Sequence, residues 1–486
     1  MKLSKSDYVL GLKCPNALWF KRFRKDLEPE VNQAVFDTGH VVGELACERF
    51  PGGTRITVKP WENESITQTQ AAIDSDASAI FEAVLMTASG EFCAVDILRN
   101  NNDGTWDIIE VKSNTSPKEY HYLDISFQRY VCEMSGLKIK NCFIMTLNSA
   151  YVRRGELNLG GLFAMHDAHE GLQLRGTVET EIKRIRGFLA QPELGVAISK
   201  GKCNKFYDCQ YKYHCWKDIP EYSVFDAFRG KTADEIYAEH GADLRKIPSE
   251  LYAKGACRDI ECFINDCEIA NLGGLREFVS GLRYPLCFLD YETIGPAVPL
   301  FDNSRPYQAL PFQFSLHIQR ELGGALEHIE FLHDKQTDPR PDMILALIAA
   351  CGTEGSIVVY NQGFEEGVNN KLAADFPEHA DAIQAINNRM VDLLVPFKSR
   401  QLYRPRQNGS ASIKETLPAF IPEMSYENLE IKQGTEASEQ FMRFMTGKQA
   451  GEETSAMMAN LREYCAQDTL AMVKLLDVIR GFTEQS

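Results

Sequence analysis

Residues 91–113 read EFCAVDILRNNNDGTWDIIEVKS. Two apolar, alternating runs flank Asn102-Asp103-Gly104, the signature of a tight antiparallel hairpin. Period two on a strand puts Glu110 and Lys112 on one face, and hairpin pairing brings Asp96 beside them. Two carboxylates so placed suit a hard divalent cation such as Mg²⁺ or Mn²⁺, which prefers oxygen ligands. Such a cation lowers the pKa of a bound water and draws charge from a scissile phosphate. A lysine beside it can orient the water and stabilise the developing charge. Gln128, in the helical stretch YLDISFQRYVCEMSG (122–136), can hold the water or a phosphate. Glu-x-Lys by itself would be better explained as surface charges on a half-exposed hairpin, so the surrounding order of motifs carries the weight.

Outward from the hairpin, residues 79–87 (AIFEAVLMT) read as a strand containing Glu82. Residues 33–50 read as a helix ended by Pro51-Gly52-Gly53. His40 and Glu44 lie four apart on it, hence on one face. Downstream, NCFIMTLNSAYV (141–152) reads as a strand, and helical text follows to about Leu194. A Cys-rich loop, GKCNKFYDCQYKYHCW, ends at Trp216. Residues 1–26 are basic with interleaved aromatics, and an amphipathic helix with a solvated basic face explains them as well as a phosphate-contacting one does. Residues 220–280 are mixed and mostly helical. In the second half YPLCFLDYET (284–293) and GSIVVYNQ (355–362) read as strands. RQNGSASIKETLP (406–418) is turn-rich and then helical, and ANLREYCAQDTLAMVKLLDVIR (459–480) is a helix.

The chain has 486 residues, enough for two or three domains with ample core. A charged fraction of 25% is that of a globular protein. No run approaches the ~20 apolar residues that span a bilayer, so no membrane role is expected. The N-terminal text lacks a long apolar h-region, which points to a cytoplasmic protein. A net charge of −16 argues against a general nucleic-acid coat protein, though not against an enzyme with a local basic groove. A reduced compartment makes a disulfide framework a poor account of the 14 cysteines. Most of them read as buried packing residues.

Cys203, Cys209 and Cys215 are evenly spaced in one short loop. Three thiols there can converge on a metal centre, but a tetrahedral site or a cubane needs four. Cys14, in GLKCPNALWF, is the candidate fourth.

A third constellation lies in the second half. Asp290 and Glu292 alternate onto one strand face. Asn361, Phe364 and Glu365 follow the next strand, and Tyr464 and Asp468 share a helical face. Four acids so arranged could hold two metal ions ~4 Å apart, with a tyrosine near the attacking water.

The order Glu82, Asp96, Glu110-Val111-Lys112, Gln128, Tyr130 resembles the RecB-like branch of the PD-(D/E)XK nuclease superfamily. The resemblance implies that Asp96 and Glu110 bind metal, with the Val111 carbonyl as a further ligand, and that Lys112 is catalytic. It implies a supporting Gln128 and Tyr130. It also implies an upstream helix ligand, for which Glu44 is preferred and His40 is second. One early Cys and three late ones resemble the iron–sulfur RecB-like nucleases, in which a 4Fe–4S cluster ties the ends of the domain together; zinc is the rival occupant. The third set resembles the DEDDy class of DnaQ-like 3′–5′ exonucleases. Asp290, Glu292, Glu365 and Asp468 would then be metal acids and Tyr464 the water-orienting residue. Glu365 stands where that class mostly has Asp, and Asp392 (in MVDLLVPF) is read as structural.

Together these resemble a bacterial family that joins an iron–sulfur RecB-like nuclease to a DnaQ-like exonuclease. The expected fold class is α/β, a restriction-endonuclease-like domain with an iron–sulfur staple plus an RNase H-like domain. The expected boundaries are 1–218, a helical connecting region 219–280, and 281–486. The implied activity is metal-dependent hydrolysis of DNA, as single strands or ends, in repair, recombination or defence with a helicase or similar partner. The alternatives are an RNA-processing nuclease, or a nucleic-acid-binding regulator whose second site is inactive.

Overall fold

The computed structural model describes residues 2–29, 33–192, 198–252, 258–449 and 451–484. The protein is mixed α/β and falls into two compact units. One comprises Met1–Ile219 with Ala297–Pro306, the other Pro220–Pro296 with Tyr307–Ser486.

The first unit holds a seven-stranded sheet. Its strands are β1 (Leu3–Ser4), β2 (Thr54–Arg55), β3 (Ala79–Met86), β4 (Glu91–Asn100), β5 (Trp106–Lys112), β6 (Ile139–Leu147) and β7 (Phe163–Asp167). The order is β2-β3-β4-β5-β6-β7, and β1 pairs in parallel with β4. The hairpin forms as its turn chemistry dictates: Ile97 lies opposite Ile109 and Asn100 opposite Trp106. Gly104 takes the positive φ (+79°) that the turn requires. β5 and β6 are parallel, so the chain must cross over, and helix Glu119–Met134 is that crossover. Val95, Ile108, Ile125, Phe127 and Ile144 bury the sheet face against it. In the 297–306 segment, Arg153 donates to the carbonyls of Pro299 (2.9 Å) and Leu300 (3.1 Å).

Two expectations are corrected here. The N-terminal segment is two helices, Lys5–Lys13 and Pro15–Phe23, preceded by a short strand. Pro15 has no N–H to continue the first helix, so Cys14 between them is extended. The stretch read as helical to Leu194 contains β7, antiparallel to β6, before helix Arg175–Leu189. Leu194 itself lies outside the described residues, as does Cys257.

In the second unit, β8 (Ile269–Ala270) pairs with β14 (Leu402–Tyr403). The main sheet holds β9 (Leu286–Ile294), β10 (Leu310–Gln319), β11 (Leu326–Leu332), β12 (Ser356–Val359) and β13 (Met390–Asp392). Its order is β11-β10-β9-β12-β13. β10 is antiparallel to both β9 and β11, and β12 is parallel to β9 and β13. Sequence reading missed β10 and β11. All ten residues of β10 are buried, so no alternation marks it. Helix Glu452–Glu484 packs across β9 and β10. No helix among the described residues is long and apolar enough to cross a membrane.

Candidate active and metal centres

Asp96, Glu110, Lys112 and Gln128 come together at the end of the hairpin. Ladder pairing of β4 with β5 stops at Ile97–Ile109, and one step beyond it the Asp96 carboxylate accepts the Val111 N–H (2.7 Å). Glu110 is 1% exposed. It accepts from Lys112 Nζ (2.5 Å) and Gln128 Nε2 (2.7 Å). Gln128 also donates to Asp124 (3.1 Å), one helical turn earlier, and Lys112 pairs with Asp124 (2.9 Å). Lys5, the first residue of helix Lys5–Lys13, lies 3.4 Å from Asp96 and 3.1 Å from Glu110.

Sequence reading missed both Lys5 and Asp124. Lys5 was one charge in a basic segment. Asp124 stands four before Gln128, a spacing that puts the two on one face and could have flagged it. Tyr130 does not join the centre. Two residues past Gln128 it points about 200° round the helix and packs in the core. Glu44 is half-exposed and pairs with Arg55 (2.9 Å), and His40 is exposed. Glu82, exposed on β3, stands within electrostatic reach of Lys5 and Glu110.

The charges at this centre are strongly biased. Burial, then Glu110, pushes the Asp96 carboxyl up to about 7. Burial would raise Glu110 too, but Lys112 and Lys5 outweigh it and hold that carboxyl well below the usual range. Lys112 is raised: burial opposes its charge, and Asp124 and Glu110 more than compensate. Two buried carboxylates side by side, both oxygen donors, suit a hard divalent cation.

The four cysteines also converge. Cys14 sits between the two N-terminal helices; Cys203 and Cys215 end short helices, Lys200–Cys203 and Lys212–Cys215. Burial pushes the Cys215 thiol up to about 11, helped by Cys209, Cys14 and Cys203. Cys209 is raised by burial and by Cys14 and Cys203. All four are free thiols. No three of their sulfurs lie within 4.8 Å of one another. Trp216 Nε1 donates to Cys203 Sγ (3.4 Å), and the Lys13 ammonium stands over the Tyr207 ring (3.7 Å), its charge facing Cys209, Cys14 and Cys203.

In the second unit, carboxylate oxygens of Asp290, Glu292 and Asp468 lie within 4.8 Å of one another. Alternation on β9 and the i, i+4 spacing of Tyr464 and Asp468 deliver them to a cleft of about 460 Å³, which Phe364, Gly434 and Tyr464 also line. Tyr426, missed from sequence, donates to Asp468 (2.6 Å). Lys414, in helix Ile413–Phe420, donates to the Tyr464 hydroxyl (3.1 Å). Glu365 lies in the first turn of helix Gln362–Asp375, within electrostatic reach of Asp290 but outside the close trio. It is 2% exposed and its Oε2 has no hydrogen-bond partner. Asp392 accepts the backbone N–H groups of Asn361 and Leu394, both at 3.0 Å.

Burial and mutual repulsion raise Asp290 and Glu292 well above the carboxylate range. Burial carries Asp468 up to about 6 against Tyr426 and Lys414, and Glu365 up to about 8. Crowded, buried carboxylates with an orphaned oxygen are the donor set that a divalent cation neutralises. A raised carboxyl pKa makes the folded, metal-free state lose stability as pH rises from the unfolded value (about 4.5) towards about 8. Glu365→Gln removes that loss. The stability of Glu365→Gln relative to wild type should therefore climb with pH across that window and level off above it, by up to a few kcal/mol (about 1.4 per pH unit). Denaturant melts in EDTA at several pH values measure it; a pH-independent difference contradicts the assignment.

A family model described as "Domain of unknown function (DUF2779)" matches residues 287–412, which include Asp290, Glu292 and Glu365. The chain is 25% identical over 218 residues to "Uncharacterized protein MG366 homolog" of Mycoplasma pneumoniae, covering 41% of this chain and 33% of that protein. It is 24% identical over 223 residues to "Uncharacterized protein MG366" of Mycoplasma genitalium, covering 42% and 33%. The matches thus span about a third of the length of these curated relatives. Neither name states an activity, and the three sets of residues carry the functional reading.

Proposed function

We propose that the protein is a divalent-metal-dependent DNA nuclease with two hydrolytic centres, one in each unit, and a metal-binding thiol set in the first. The observation that carries the reading is the first centre. A hairpin brings Asp96, Glu110 and Lys112 together under a helix whose Gln128 reaches back to Glu110. This arrangement supports the PD-(D/E)XK resemblance at Asp96, Glu110, Lys112 and Gln128. In the second unit, a central strand bearing Asp290 and Glu292, crossed by a helix bearing Tyr464 and Asp468, supports the RNase H-like reading.

At each centre Mg²⁺ or Mn²⁺ would supply a water of lowered pKa and draw charge from the scissile phosphate. Asp96 and Glu110 would hold it in the first centre; Asp290, Glu292 and Asp468 would hold it in the second, with Glu365 within electrostatic reach of Asp290. The Lys112 ammonium stays charged beside Glu110 and would stabilise negative charge developing on a phosphate held there. Gln128 fixes the Glu110 carboxylate by its hydrogen bond. Tyr464 keeps its proton at neutral pH, because burial and Asp468 raise its pKa, so it can donate to an attacking water. Lys414 anchors that hydroxyl.

Four thiols drawn near one another from both ends of the first unit would supply the four ligands of a 4Fe–4S cluster, with zinc as the alternative occupant.

The test is to incubate the purified protein with end-labelled single-stranded DNA, duplex DNA and RNA of one sequence. DNA should be shortened with Mn²⁺ and left intact in EDTA. No shortening of any substrate, or shortening that persists in EDTA, sinks the proposal.

A further inference from the structure

We propose that Lys5 is a built-in counter-ion that competes with divalent metal for Asp96 and Glu110, so that metal enters the first centre only as the Lys5 ammonium swings out. The inference rests on the reading of those two carboxylates as metal ligands and adds a residue that the motif does not contain.

The geometry separates the two lysines of the site. Lys112 touches Glu110 and Asp124 and flanks the pair. Lys5 bridges it, with Nζ 3.4 Å from Asp96 Oδ1 and 3.1 Å from both oxygens of Glu110. A cation bound to the same oxygens at about 2.0–2.6 Å would lie in the same space. The two therefore exclude each other.

The backbone of Lys5 is fixed, while its side chain is held, among the described residues, by the two carboxylates alone and reaches the surface. Leu3 and Ser4 pair with Glu91 and Phe92 of β4, and the Leu3 N–H donates to Gly90 (2.9 Å). Ser4 caps the helix through reciprocal bonds with Asp7, at 3.1 Å each way, and Asp7 is held by Lys21 and Arg22. The other end of this helix is Lys13, next to Cys14 of the thiol set. The Lys5 side chain is 23% exposed, so it has a way out. Glu82, exposed on β3, lies within its electrostatic reach. A long, flexible stem carrying a point charge suits such a swing.

The test titrates Mn²⁺ calorimetrically into metal-free protein carrying Asp290→Asn and Asp468→Asn, so that the first centre alone reports. In that background Lys5→Met should bind Mn²⁺ about tenfold tighter or more, whereas Lys5→Arg, which keeps the charge, should stay within about threefold of the parent. Thermal melts check that each variant folds. Equal or weaker Mn²⁺ binding by folded Lys5→Met overturns the inference and leaves the ligand assignment standing. Absence of binding in parent and Lys5→Met alike, or binding that survives Glu110→Gln, overturns the ligand assignment and the inference with it.

Discussion

Glu110→Ala is expected to abolish cleavage by the first centre and, independently of any metal, to destabilise the first unit by about 3–5 kcal/mol. Glu110 is almost fully buried and accepts from Lys5, Lys112 and Gln128. Truncation leaves two ammonium groups facing a site that has lost its deeply ionised carboxylate. It also takes one of the two hydrogen bonds that Gln128 Nε2 makes. Removing one partner of a buried pair costs far more than the pair contributes net, because the remaining charge stays desolvated. Urea unfolding in EDTA separates this loss from metal binding. An unchanged midpoint would mean that Glu110 is not the hub of this network.

The second large effect belongs to the thiols. Cys209→Ser, or Cys14→Ser, should remove the bound iron and the brown colour of anaerobically purified protein, and should lower the stability of the first unit by up to about 5 kcal/mol. Cys14 follows the first helix and the other three lie near the end of the unit, so a shared metal centre closes almost its whole length into one loop. A cross-link of that span strongly restricts the unfolded chain. Cys267→Ser, at an exposed thiol outside the set, is the control and should change neither property. A colourless wild type carrying zinc contradicts the cluster, and a Cys14→Ser variant that keeps its metal contradicts the four-ligand set.

Much of this was legible because chemistry constrained spacing. The Asp103-Gly104 turn fixed a register in which Asp96 meets Glu110, and Cys14 lies near the three thiols of the late loop with which its sequence context grouped it. What was not legible lacked such a constraint. β10 begins Leu-Pro and is buried on both faces, so its residues carry no period. β11 is an edge strand with exposed residues at most positions. Lys5 and Tyr426 reach their carboxylates across 105 and 42 positions of chain, and no local pattern encodes a contact of that range. Glu44 shows the converse. Its helical position matches the resemblance, yet Arg55, eleven residues on, takes up its charge.

Mutation separates the contributions of the two centres. End-labelled single-stranded DNA with Mn²⁺ should be degraded by wild type, and each of Lys112→Ala and Asp290→Ala should remove part of that activity. The variant carrying both should be slower by about 10²–10³-fold or more. If that double variant degrades the DNA as fast as wild type, neither centre is a nuclease site.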